Sequence, residues 1–176
     1  MNLPNKLTVA RAIAVPFFII CFMKGLYPAA LVIFVAASFT DFLDGHIARS
    51  QNLVTNFGKI MDPLADKILV YSALCLFIEN KTISAWMLII ILAREFAVAG
   101  MRTVAASEGR VLAAGMSGKI KTVLQMIAVI LILLAHCLPD IPQIMVAGYA
   151  IFIASLVMTV YSGAEYVYKN RDVFSM

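Results

Sequence analysis

Long uncharged runs leave this chain few ways to fold. Residues 25–40 read GLYPAALVIFVAASFT, residues 122–135 read TVLQMIAVILILLA, and residues 141–164 carry no charge either. A helix needs roughly 20 mostly apolar residues to cross the hydrocarbon core of a bilayer. Several stretches approach that length, and they predict an all-α polytopic membrane protein with six transmembrane helices. The expected helices cover 8–24, 28–49, 59–79, 83–106, 117–137 and 143–169. Turn-forming residues punctuate them: Lys24-Gly25 with Pro28, Asn52 with Asn56, Glu79-Asn80-Lys81, Gly109, and Pro139-Asp140 with Pro142. A soluble all-α protein is the competing reading. Against it stand a mean hydropathy of +0.94 and a charged fraction of 14%, where soluble domains carry about 25%.

The 176 residues form one expected domain, 1–176, with no repeat, low-complexity tract or linker. Cys21, Cys75 and Cys137 lie in apolar segments without CxxC spacing and read as small core residues. The opening MNLPNKLTVAR is polar and basic, and no cleavable signal is expected from it. Charge sets the orientation. Of the 14 lysines and arginines, only Lys24 and Lys81 fall at one set of helix ends; all the others fall at the opposite set. Positive charge accumulates on the cytoplasmic side, so both termini are expected there.

The same side receives Asp41, Asp44, Asp62 and Asp66, four of the ten acids in the chain. At about 100° per residue, Asp44 lies about 60° from Asp41, Gly45 about 40° and Ala48 about 20°. Asp62 and Asp66 are four apart and share a face of the next helix. The short connection SQNLVTNF makes the two helices antiparallel neighbours, so four carboxylates converge. Acids in membrane helices are costly and usually functional. Four like charges need protonation or a positive partner, and oxygen-only ligands suit a hard divalent cation. Two Mg2+ or Mn2+ ions are expected. The alternative is an acidic patch that faces water and caps helices. Gly45 and Ala48 either open room for a flat ligand or allow close helix packing, and spacing alone leaves the two even.

A second group is basic. Arg94 and Arg102 are eight apart, about 80° of helix rotation, and could line one cavity. Lys119 and Lys121 lie in GKIKT, which opens the fifth helix, where backbone N–H groups favour anions. A phosphate on a small substrate would suit this cluster. The competing reading is that these cations anchor helices to anionic lipid headgroups. Glu95 is a candidate buried partner for one of them. Trp86, Tyr71, Tyr149 and Tyr161 read as packing or interfacial aromatics, and KNRDVF near the carboxyl end reads as a solvated tail.

Asp41-x-x-Asp44-Gly45-x-x-Ala48-Arg49, then eight residues, then Gly58-x-x-x-Asp62-x-x-x-Asp66 resembles the signature of the CDP-alcohol phosphatidyltransferase family, with every fixed position filled. PNKLTVAR, ILAREFAVAGMR and GKIKT are similar to the bacterial branch that makes phosphatidylglycerophosphate. The resemblance covers essentially the whole chain. It implies six transmembrane helices, a homodimer and two divalent ions. It implies that Asp41, Asp44, Asp62 and Asp66 ligate metal, with Asp66 as the general base. It implies that Gly45, Ala48, Arg49, Thr55, Gly58, Asn5 and Thr8 receive CDP-diacylglycerol. Glycerol 3-phosphate would be the acceptor, held by Arg94, Arg102, Lys119 and Lys121. Spacing by itself does not say which of the four acids is the base. The enzyme would be multi-pass in the cytoplasmic membrane, with its site facing the cytoplasm, membrane lipid around it and no nucleic-acid partner.

Other readings stay open at this point. Inositol phosphate, serine or a whole phosphatidylglycerol could be the acceptor within the same family. An intramembrane prenyltransferase also uses acids and Mg2+ on a diphosphate, but its acidic motifs are spaced differently. A cation transporter would place acids near mid-membrane on several helices.

Overall fold

The computed structural model describes the backbone of residues 3–51, 56–113 and 115–174 and the side chains of residues 9–40, 67–113 and 115–173. Six helices account for it: α1 (Leu3–Met23), α2 (Tyr27–Gln51), α3 (Asn56–Glu79), α4 (Ala85–Ser107), α5 (Met116–Cys137) and α6 (Pro142–Lys169), with one 3-10 turn at Arg171–Phe174. There is no strand among the described residues. The largest departure from the expected spans is at α1, which starts at Leu3 and not at residue 8. Pro4 falls in its first turn, where a missing N–H breaks no helical bond.

Three helices stop in the same way, and the stops are local chemistry. After α1, Leu26 N–H bonds Cys21 C=O at 2.9 Å and Gly25 N–H bonds Phe22 C=O at 2.9 Å. Gly25 has φ +72°. This is a Schellman cap, which needs a left-handed residue just past the helix. Gly109 does the same after α4, with φ 76° and bonds from Arg110 to Ala105 and from Gly109 to Ala106. After α3 the left-handed position is held by Lys81, at φ 58°, where a Cβ costs about 1–2 kcal/mol. Pro142 opens α6 at a position that needs no N–H.

The buried centre is aromatic and aliphatic. Phe18, Phe34, Phe77, Ile91, Ile132 and Phe152 are fully buried, drawn from all six helices. Gly148 lets α6 lie close on α5: a Cβ there would sit 3.0 Å from Ile132 Cγ1 and 3.1 Å from Ile132 N. Small residues at helix crossings are the usual means of close approach in membranes. The buried hydroxyls of Ser155, Thr159 and Ser162 bond carbonyls one turn back on α6, so their polar atoms are satisfied within the helix. At the end of the bundle remote from residues 41–66, Phe22, Tyr27 and Phe77 surround His136, whose ring stacks on Phe77 at 6.1 Å.

The outer surface is apolar. Phe17, Phe39, Ile89, Phe96, Val146 and Val157 are all more than half exposed, a pattern that water would penalise and lipid would not. By length and composition, α5 and α6 are long and apolar enough to cross a membrane. The apolar parts of α1 and α2, Val9–Met23 and Tyr27–Thr40, are shorter. In α4, Arg94, Glu95 and Arg102 interrupt the apolar run of the sequence.

Two expectations are corrected here. None of the three cysteines is buried: Cys21 and Cys137 are intermediate and Cys75 is exposed, because the helix period turns Cys75 away from the buried Leu74 and Leu76. The segment after α6 keeps Arg171 and Asp172 exposed, as a solvated tail would, but it is folded. It forms the 3-10 turn, buries Val173 and pairs Asp172 with Arg110.

Candidate active site

Chain direction brings the acidic motif and the basic residues to one end of the bundle. The carboxyl-terminal turns of α2 and the amino-terminal turns of α3 meet there, joined through residues 52–55. So do the end of α4, the start of α5 and the end of α6. Asp41, Asp44, Gly45, Ala48 and Arg49 lie on α2, Gly58, Asp62 and Asp66 on α3, and Asn5 and Thr8 on α1. Their side chains lie outside the described residues, as does Thr55 entirely. The four acids of the motif offer carboxylate oxygens on adjoining ends of two consecutive helices, and that chemistry fits hard dications.

Arg11 marks the border of this region. It is 3% exposed, and its Nε donates to Ala37 C=O at 3.2 Å. Ala37 lies one helical turn before Asp41. Sequence reasoning counted Arg11 only as an orienting charge. Packed side by side, α1 and α2 make it an inward-facing cation instead.

Beside the motif lies a cavity of about 580 Å3. Arg94 and Arg102 from α4 and Lys119 from α5 line it together, as their spacing suggested. Arg94 is threaded between α5 and α6. A Cβ on Gly118 would lie 3.2 Å from Arg94 Nη2, and one on Gly163 would lie 2.9 Å from Arg94 Cγ. Both glycines therefore make room for this one side chain, Gly118 at its guanidinium and Gly163 at its aliphatic stem. Its Nε is buried with no hydrogen-bond partner among the described residues. Arg102 is held differently: Nε donates to Tyr166 Oη at 3.1 Å, and the guanidinium carbon stands 5.4 Å from the Tyr166 ring centre. That combination of hydrogen bond and cation–π contact leaves its terminal N–H groups available.

Lys121 is not on the cavity wall. Its side chain is 6% exposed and pairs with Glu95 Oε1. Glu95 gathers two more cations, Arg94 Nη1 at 3.2 Å and Lys67 Nζ at 2.9 Å. One carboxylate thus ties α3, α4 and α5 together, confirming Glu95 as a partner within the basic group. Lys67 directly follows Asp66, so this network reaches the acidic motif. The first turn of α5 completes the wall through Gly115, Ser117 and Gly118, and the leading N–H groups of a helix have no internal acceptors. Sequence reasoning missed Ser117, Glu165, Tyr166 and Lys169 as lining residues. The i,i+4 spacing of Glu165 and Lys169 was a visible signal; nothing local distinguished Tyr166 from the other tyrosines.

A family model for CDP-alcohol phosphatidyltransferase matches residues 1–161. The chain belongs to the CDP-alcohol phosphatidyltransferase family. Among its relatives is the CDP-diacylglycerol--glycerol-3-phosphate 3-phosphatidyltransferase of Bacillus subtilis, 45% identical over 97% of this chain and 96% of that protein. Proteins with the same name from Rickettsia bellii and Salmonella paratyphi A are 38% and 36% identical. They match 98% and 97% of this chain and 97% and 95% of their own lengths.

Proposed function

We propose that this protein transfers the phosphatidyl group of CDP-diacylglycerol to sn-glycerol 3-phosphate, giving phosphatidylglycerophosphate and CMP. The observation that carries the reading is the basic cavity: it stands at the same end of the bundle as the four aspartates, and Lys67, the residue after Asp66, pairs with its Glu95. A phosphorylated acceptor needs such a cavity, and an uncharged alcohol does not.

Asp41, Asp44, Asp62 and Asp66 would hold two Mg2+ or Mn2+ ions. When bound, these ions neutralise charge on the phosphoryl oxygens and on the departing CMP. Gly45, Ala48 and Gly58 leave space for the nucleotide, and Arg49, Thr55, Asn5 and Thr8 hold its phosphates. Arg94, Arg102 and Lys119 hold the acceptor phosphate, with the α5 amides beside them. Lys121 acts through Glu95 and positions the wall. The acceptor's C1 hydroxyl oxygen bonds to the phosphatidyl phosphorus, the bond from phosphorus to CMP breaks, and Asp66 takes the hydroxyl proton.

The six helices span the cytoplasmic membrane, with the site at the cytoplasmic face and the donor's acyl chains remaining in lipid. Two copies pair as a homodimer. The test is to incubate purified protein with CDP-diacylglycerol, Mg2+ and a panel of alcohols, and to identify products by mass. Phosphatidylglycerophosphate and CMP are expected with glycerol 3-phosphate. Turnover only with inositol phosphate or serine would overturn the acceptor assignment.

A further inference from the structure

Two carboxylates line the same cavity, and they are held in different ways. Glu95 is held by three cations, Lys67, Arg94 and Lys121, spread over its two oxygens. Glu165, on α6, has fewer partners. Its Oε2 accepts from Ser117 Oγ at 2.5 Å, and its Oε1 accepts from Lys169 Nζ at 2.5 Å. The Lys169 side chain is 67% exposed, and that of Glu165 is 26% exposed. An ionised carboxylate offers about four lone-pair sites, so Glu165 keeps acceptor capacity toward the cavity it lines.

That capacity is out of place in a site built only for an anion. A carboxylate repels a phosphate, and a pocket selected for phosphate alone would bind better without it. It becomes useful when the ligand carries a hydroxyl donor a few bonds from its phosphate. Ser117 and Lys169 hold the carboxylate in one orientation, which is what reading a hydroxyl requires.

We propose that Glu165 is a specificity-determining residue that accepts a hydrogen bond from the acceptor hydroxyl that does not react. On the reading above, on which this inference rests, that group is the C2 hydroxyl of glycerol 3-phosphate. The cavity then selects polyol phosphates over phosphates of simple alcohols.

The experiment compares two acceptors with the full-length enzyme at fixed CDP-diacylglycerol. One is sn-glycerol 3-phosphate. The other is 3-hydroxypropyl phosphate, which keeps the phosphate and the reacting hydroxyl but lacks the C2 hydroxyl. Wild type is expected to favour glycerol 3-phosphate in kcat/KM by roughly tenfold to a hundredfold, the usual worth of a hydrogen bond to a charged group. Glu165→Gln should lose most of that preference through a higher KM for glycerol 3-phosphate, with 3-hydroxypropyl phosphate changed by less than about twofold. A role limited to pinning α6 against α5 would lower both acceptors together, and that result overturns the proposal, as does a wild type with no preference. If wild type uses neither acceptor, the acceptor assignment itself fails first. Should Glu165→Gln not fold, Ser117→Ala frees the carboxylate and is expected to weaken the same preference; an unaltered ratio there also overturns the assignment.

Discussion

Between residues 41 and 66, four aspartates sit on two consecutive helices, α2 and α3, and on the proposed reading ions from solution complete them. The basic cavity draws its charges from α3, α4, α5 and α6, and it supplies its own counter-ions. Glu95 answers three cations and Glu165 answers Lys169. The first region is therefore a chemical centre that depends on what binds it. The second is a scaffolded receptor, whose shape is set by internal ion pairs before any ligand arrives. Damage to the first should abolish turnover and spare the fold. Damage to the second should change stability or acceptor affinity.

Asp62→Asn gives the sharpest break. Turnover should fall on the order of a thousandfold, since a metal-ligating carboxylate is lost where charge must be neutralised. The helical circular dichroism in detergent should be unchanged. Chelation of the wild type should reproduce the loss and Mg2+ should reverse it. Near-normal turnover in the variant would remove the distinction between the regions.

Glu95→Ala tests the other side. Lys121 would remain buried at 6% exposure with its carboxylate gone. Removing one partner of a buried pair costs about 3–5 kcal/mol, read as a lowered unfolding midpoint in detergent. Glu95→Ala combined with Lys121→Met should recover much of it, because no uncompensated charge is left. A single variant as stable as wild type would mean that Glu95 does not hold the cavity.

The same division explains what could be read from the chain. The helical setting of the acidic motif was legible, with 41–44 on α2 and 62–66 on α3, because one or two helical turns determine which positions share a face; the acidic side chains themselves lie outside the described residues. Arg94 and Arg102 were legible for the same reason. Helix ends were readable to within a few residues where Gly25, Gly109 and Pro142 carry the stop or start. The burial of Lys121 behind the wall, the inward turn of Arg11 and the arrival of Glu165 and Tyr166 from α6 were not. They depend on how whole helices pack, α1 on α2 at Arg11, α6 on α5 at Gly148 and both on Arg94 at Gly118 and Gly163, and helix period does not encode that choice. The incomplete burial of the cysteines was missed for a related reason: in an apolar chain, composition does not separate the core face from the outward one.

Arg102→Ala should act on the acceptor alone. Tyr166 keeps its packing, while a charge-assisted contact to the phosphate disappears. The KM for glycerol 3-phosphate should rise roughly tenfold to a hundredfold, and that for CDP-diacylglycerol should hold. Equal rises for both substrates would place the donor in this cavity as well.

The smallest effect is expected at the margin of the cavity scaffold, where Arg110, just past α4, pairs with Asp172, just past α6. The Arg110 guanidinium holds the Asp172 carboxyl below its ordinary value of 3.8. The folded protein then binds fewer protons here than the unfolded chain, so the pair stabilises at pH above that value. Its contribution is lost as the pH falls through the lower, folded value. Both side chains are about half exposed, at 43% and 53%, so salt screens the pair. Asp172→Asn should therefore lower the unfolding midpoint slightly near neutral pH and low salt. The difference from wild type should vanish in high salt and at pH well below 3.8. A difference that grows on acidification would mean that Asp172 is not held in its charged form, and the link between the ends of α4 and α6 would have to come from the buried Val173.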